Sequence, residues 1–151
     1  MRKGYTLIEI LVGLAIISLL FSFGYVSFRD FSRRQALNGS VKQIQGDLRL
    51  AQSSASSGQK PSSGNCTQLD GYTVNFSTDN YVVTANCTNQ NIIIKTVTLP
   101  TGITETVGSV RFKVLGQGTN LADGVDTTIT VTQNGTNATA VVTITSGGEI
   151  K

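Results

Sequence analysis

The sequence predicts an α+β protein: a long N-terminal helix packed on a small antiparallel β-sheet domain. Three observations predict it. The stretch from Tyr5 to Phe28 is almost wholly apolar, whereas the rest of the 151 residues is rich in Thr, Asn, Ser and Gly. Beyond Arg34, apolar residues recur at helical spacing as far as Ala55. After that, short β-branched segments alternate with turn residues, the pattern of antiparallel hairpins rather than of βαβ units. A chain so divided has room for one modest domain, near the lower limit of independent stability.

The first element is the apolar one. From Ile10 to Phe28 there is no charged residue, a span close to the ~20 residues a helix needs to cross a bilayer. A secretory h-region is usually shorter and ends in small residues. This run ends in Phe23-Gly24-Tyr25-Val26-Ser27-Phe28, so removal of the whole segment is not expected. Glu9 is the anomaly, because a carboxylate in an apolar membrane helix costs up to ~3 kcal/mol on insertion scales, less near the interface. Two readings follow: a side chain snorkelling to the headgroups, or a charge that meets a partner from outside this stretch.

The second element continues the first. Leu37, Val41, Ile44, Leu48, Ala51 and Ala55 form a stripe, with Lys42, Gln43, Gln45, Asp47 and Arg49 expected on the opposite, solvent face. One helix is therefore predicted to run to about Ser57, where Ser/Gly-rich sequence with Pro61 ends it. Gly24, Gly39 and Gly46 each weaken it by ~1 kcal/mol relative to Ala. They read either as flexible points or as places of close packing.

The predicted strands are Tyr72–Phe76, Tyr81–Ala85, Ile92–Leu99, Val110–Leu115, Thr128–Thr132 and Thr139–Thr145. Asn134-Gly135 is a strong hairpin signal between the last two, and Thr78-Asp79-Asn80 joins the first two. Gly116-Gln117-Gly118 through Asp123-Gly124 reads as a loop.

Charge narrows the function classes. The net charge of +3 and pI near 9.0 come from Arg2, Lys3, Arg29, Arg33 and Arg34, which flank the apolar segment. From Ala36 onward seven basic residues face seven acidic ones, so the domain has no bulk field to draw nucleic acid. Cys66 and Cys87 are the only cysteines. In a chain with an export-type N-terminus they read as one disulfide, and in a reducing compartment as two free thiols. A bond closing a loop of roughly 20 residues would contribute about 3 kcal/mol. Without His there is no Ser-His-Asp or Cys-His arrangement. The cysteines lack CxxC spacing for zinc or thioredoxin-like chemistry. Asp123 and Asp126 show no EF-hand pattern. No enzyme, cofactor or metal is indicated.

Met1-Arg2-Lys3-Gly4, then Tyr5-Thr6-Leu7-Ile8-Glu9 and an unbroken apolar run, resemble the prepilin signal of type IV pilins and type II secretion pseudopilins. The resemblance implies a pilin-like fold and a leader of residues 1–4. A membrane-embedded prepilin peptidase would cut between Gly4 and Tyr5 and methylate the new N-terminus on Tyr5. Tyr5 stands where Phe is usual, keeping the aromatic bulk. Residues 5–28 become the transmembrane and assembly helix, 29–57 its amphipathic continuation and 58–151 the β-rich domain. Glu9, at the fifth mature position, is expected to meet the α-ammonium of a neighbouring subunit. Such a pair sets register rather than adding stability.

The implied partners are other pilin or pseudopilin subunits, the peptidase and inner-membrane lipid before assembly. The implied course is single-pass insertion with the N-terminus cytoplasmic, then a filament in the periplasm or at the cell surface. The arginines beyond the span would not choose this orientation by the positive-inside rule, so the peptidase signal decides it; they are expected to snorkel or to form a basic collar near the outer membrane surface. Leu48-Arg49-Leu50-Ala51-Gln52-Ser53, Val110-Arg111-Phe112 before Gly116, Thr128-Ile129-Thr130-Val131 and the closing Ile144–Ile150 resemble the GspH/FimT group of minor pseudopilins and minor pilins. Some of that group bind DNA, but Gln117 stands where an Arg is often found and the tail offers only Lys151. The implied function is a structural subunit, minor by this resemblance; a major pilin or a DNA-uptake or adhesive tip pilin are the alternatives.

Overall fold

A computed structural model of the chain describes residues 4–151, with the side chains of residues 22–27 outside the description. One helix, α1 (Leu7–Ser56), is followed by seven strands: β1 (Leu69–Phe76), β2 (Asn80–Cys87), β3 (Asn91–Thr98), β4 (Ile103–Glu105), β5 (Gly108–Lys113), β6 (Thr127–Gln133) and β7 (Ala138–Ile144). They form two antiparallel sheets, one in the order β3-β2-β1-β5 and one in the order β4-β6-β7. This is the pilin-like α+β arrangement, a long N-terminal helix packed on antiparallel sheets.

Helix α1 stops where its backbone groups find other partners. Gly58 adopts the left-handed conformation (φ 62°), its N–H donates to the Ala55 carbonyl, and the Gln59 N–H donates to the Ser54 carbonyl, each at 3.0 Å. This is a Schellman stop, and glycine enters the left-handed region without the strain a Cβ brings.

The expected stripe is the buried one. Leu37, Ile44, Leu48, Ala51 and Ala55 lie in the core and Val41 packs against it. They meet inward residues of both sheets, among them Tyr72, Val74, Tyr81, Val110, Phe112, Val131, Val142 and Ile144. Asp47 corrects the predicted solvent face, because it is buried among these groups rather than exposed with Lys42 and Arg49. Helical geometry accounts for this: position 47 falls three residues after Ile44 and four before Ala51, on the flank of the stripe.

The strands run close to their expected places, with two differences. β5 ends at Lys113, because Val114–Gly116 forms a 3-10 turn with Leu115 at φ 55°. β4 has no counterpart among the predicted strands; three residues are too short a run to show a period. The β6–β7 hairpin is present, but its turn differs from a two-residue Asn-Gly turn. Gln133 pairs with Ala138, leaving a four-residue loop in which Asn137, at φ 52°, is the left-handed residue. The Gln133 Oε1 accepts from the Thr136 N–H at 2.7 Å and from its hydroxyl at 2.9 Å, holding the wider turn. Gly135 serves another purpose. Arg33 donates to its carbonyl at 3.2 Å, and a Cβ there would meet the guanidinium at 2.8 Å. Of the expected collar, Arg33 is therefore tied to the domain, and it also lies 3.9 Å from Asp30.

Candidate functional site

The candidate site begins at the start of α1. Thr6 is extended (φ −82°, ψ 151°) and Leu7 opens the helix. The Glu9 N–H donates to the Thr6 hydroxyl at 3.4 Å and to its carbonyl at 3.1 Å. Thr6 is thus the N-cap and Glu9 the third helical residue, the spacing of a capping box. The carboxylate sits in the first turn, where unpaired N–H groups favour negative charge. This local role was readable in Thr6-Leu7-Ile8-Glu9 but is not part of the expectation built on Glu9 as a pairing group.

Tyr5 is 81 % exposed, and the large apolar side chains of Leu7, Ile8, Ile10, Leu11, Val12, Leu14, Ile16, Ile17, Leu19, Leu20 and Phe21 are all exposed. Gly4, Tyr5 and Glu9 thus lie together at one exposed end of the helix. The leader residues 1–3 lie outside the described residues, as do the side chains of residues 22–27 within the expected crossing segment. Among the described residues no helix is long and apolar enough to cross a membrane.

A second polar group lies inside the domain. The buried Tyr81 hydroxyl donates to Asp47 Oδ2 at 2.6 Å, and Lys95 Nζ donates to both Asp47 oxygens at 2.8 and 2.9 Å. Burial, reinforced by Asp47 and then Glu105, holds the Tyr81 phenol well above its ordinary value. Glu105 is buried with both carboxylate oxygens unpartnered, and desolvation pushes its pKa up to about 7. Neither group was foreseen. Asp47 stands 34 positions from Tyr81 and 48 from Lys95, and Glu105 lies on a strand too short to recognise.

Cys66 and Cys87 are joined in a disulfide, which fixes the segment after α1 to the end of β2. Among the described residues no three His, Cys, Asp or Glu side chains gather as a metal site.

Residues 1–25 match the family model of the prokaryotic N-terminal methylation motif. No curated protein and no solved structure matches the chain. The motif supports a structural subunit of the type IV pilin and pseudopilin kind. Such a subunit is processed by a prepilin peptidase, anchored in a membrane and then assembled with other pilins.

Proposed function

We propose that the chain is a minor pilin or pseudopilin, cut between Gly4 and Tyr5, methylated on Tyr5 and built into a filament through α1. The observation that carries this reading is the exposed apolar first half of α1, headed by Glu9 in its first turn. The minor role rests on the resemblance of Leu48–Ser53 and Ile144–Ile150 to the GspH/FimT group. In assembly Glu9 meets the Tyr5 ammonium of a neighbour, and the two charges, which neither lipid nor helix satisfies fully, fix the axial step between subunits.

The test is a competition between original and Glu9→Ala subunits for entry into filaments. Membrane insertion should be unchanged, whereas incorporation should fall by roughly tenfold or more, because one partner of a buried pair is left alone. Equal incorporation would end the pairing mechanism. Thr6→Ala separates pairing from capping: it removes the cap acceptor and keeps the carboxylate, so it should leave incorporation near the original level. N-terminal sequencing and intact mass report cleavage and methylation directly, and an intact Met1 would refute the processing step.

A further inference from the structure

Glu105 is the last residue of β4, the three-residue edge strand of the smaller sheet, and is 5 % exposed. Both carboxylate oxygens are sealed from solvent and accept no hydrogen bond. A buried carboxylate in that state is costly, and the cost is far larger when it is ionised.

No neighbouring charge offsets it. On α1, Asp47 is a like charge; on β2, the Tyr81 hydroxyl already donates its hydrogen bond to Asp47; on β3, Lys95 is held by both Asp47 oxygens. Strands β6 and β7 carry no titratable residue between Thr127 and Gln133 or between Ala138 and Ile144. Asp79, in the β1–β2 turn, is exposed and would repel rather than neutralise.

The backbone around Glu105 is held on one flank by β6 and its turn, where the Thr106 N–H donates to the Thr130 carbonyl at 3.0 Å and the Asn134 N–H to the Gly102 carbonyl at 2.8 Å, and Ile103 is buried beside it. β4 pairs only with β6, through Ile103–Gln133, Thr104–Thr132 and Glu105–Val131. The Glu105 N–H reaches across to the Thr78 carbonyl at 2.9 Å, joining the two sheets at this point. On one side Pro100 and Thr101 are exposed, and on the other Thr106 and Val107 are exposed. A short strand between two exposed linkers can leave without the rest of the domain.

We propose that Glu105 is a pH-operated latch: protonated, it seats β4 between β6 and the β1–β2 turn, and ionised, it carries residues 100–107 out to solvent. Opening would uncover the edge of β6 that β4 now occupies. The pKa shift supports the same direction, since burial lifts the carboxyl from 4.5 to about 7 in the closed form. The closed form then holds the proton more tightly than an open form with an ordinary carboxyl. Its advantage is complete below about pH 4.5, declines as pH rises, and is fully lost above about pH 7. Across that window the closed-to-open ratio should fall by about two orders of magnitude.

Hydrogen exchange on the full-length chain in detergent micelles tests this, followed by mass spectrometry from about pH 5 to about pH 9 and corrected for intrinsic exchange chemistry. Protection of the Ile103, Glu105 and Thr106 amides should fall by roughly a hundredfold, while β1 and β2 amides keep theirs. In Glu105→Gln, protection of the same amides should not vary with pH. Three results would overturn the latch: constant protection in the original chain, an equal fall in the Gln variant, or a fall shared by β1 and β2. Should the variant not fold, carbon-13 labelling of the glutamate carboxyls in the original chain decides. Glu105 should titrate near neutrality, and a midpoint in the ordinary carboxylate range refutes the latch.

Discussion

The two halves of α1 share one backbone and have opposite fates. From Leu7 to Phe31 the large apolar side chains described are exposed, whereas Leu37, Ile44, Leu48, Ala51 and Ala55 are buried. The more apolar half is the uncovered one. What separates them is pattern: the second half offers a single stripe that one sheet surface can cover, and the first is apolar on every side. A Leu or Ile left in water forgoes roughly 1.5–3 kcal/mol of burial, so the first half is suited to lipid or to neighbouring helices. Among the described residues the hydrophobic core takes no side chain from it.

Paired substitutions across this divide measure how separate the halves are. The largest effect is expected from Leu48→Ala, at 0 % exposure, which should lower domain stability by about 2–5 kcal/mol in denaturant titration. Leu14→Ala, at 57 % exposure, should change it by less than about 0.5 kcal/mol. Comparable losses would mean that the first half docks on the domain after all. Next comes the disulfide. Replacing Cys66 and Cys87 by Ser should cost about 2–4 kcal/mol, read as a lower melting temperature, and adding reductant to the original chain should reproduce it. The smallest effect is a gain. At Gly13, Gly39 and Gly46 an added Cβ meets nothing within 4 Å. Gly46→Ala should therefore stabilise the domain by about 0.5–1 kcal/mol, whereas Gly13→Ala should leave its unfolding midpoint in place.

Much of this fold was legible because its signals are periodic. The stripe from Leu37 to Ala55 announces a half-buried helix, and β-branched alternation with turn residues announces the hairpins of β1–β2 and β6–β7. What escaped was local or long-range. Asp47 looked like a surface residue because its composition is that of the polar face, yet its angular position lies beside Ile44 and Ala51. Only the fold brings Tyr81 and Lys95 to it. β4 is too short to alternate visibly, and the unpartnered state of Glu105 depends on what the other strands fail to supply. Asn134-Gly135 marked the right hairpin and the wrong turn, since the sequence does not say that Arg33 will occupy the space above Gly135. In the candidate site, Gly4, Tyr5 and Glu9 stood out through family resemblance, while the capping role of Thr6 was present in the spacing.

The Cys66–Cys87 bond also decides where a mechanical load would go. A pull on α1 toward its N-terminus is borne first by the stripe, in shear against both sheets. If the stripe slips, the chain from Ser56 to Cys66 becomes a tether that can extend by no more than about 35 Å. Its end is then anchored covalently to β2, inside the larger sheet, instead of peeling β1 away from Leu69. The fold thus contains a stop that acts only after packing has yielded, and it keeps the sheets attached to the helix that carries them.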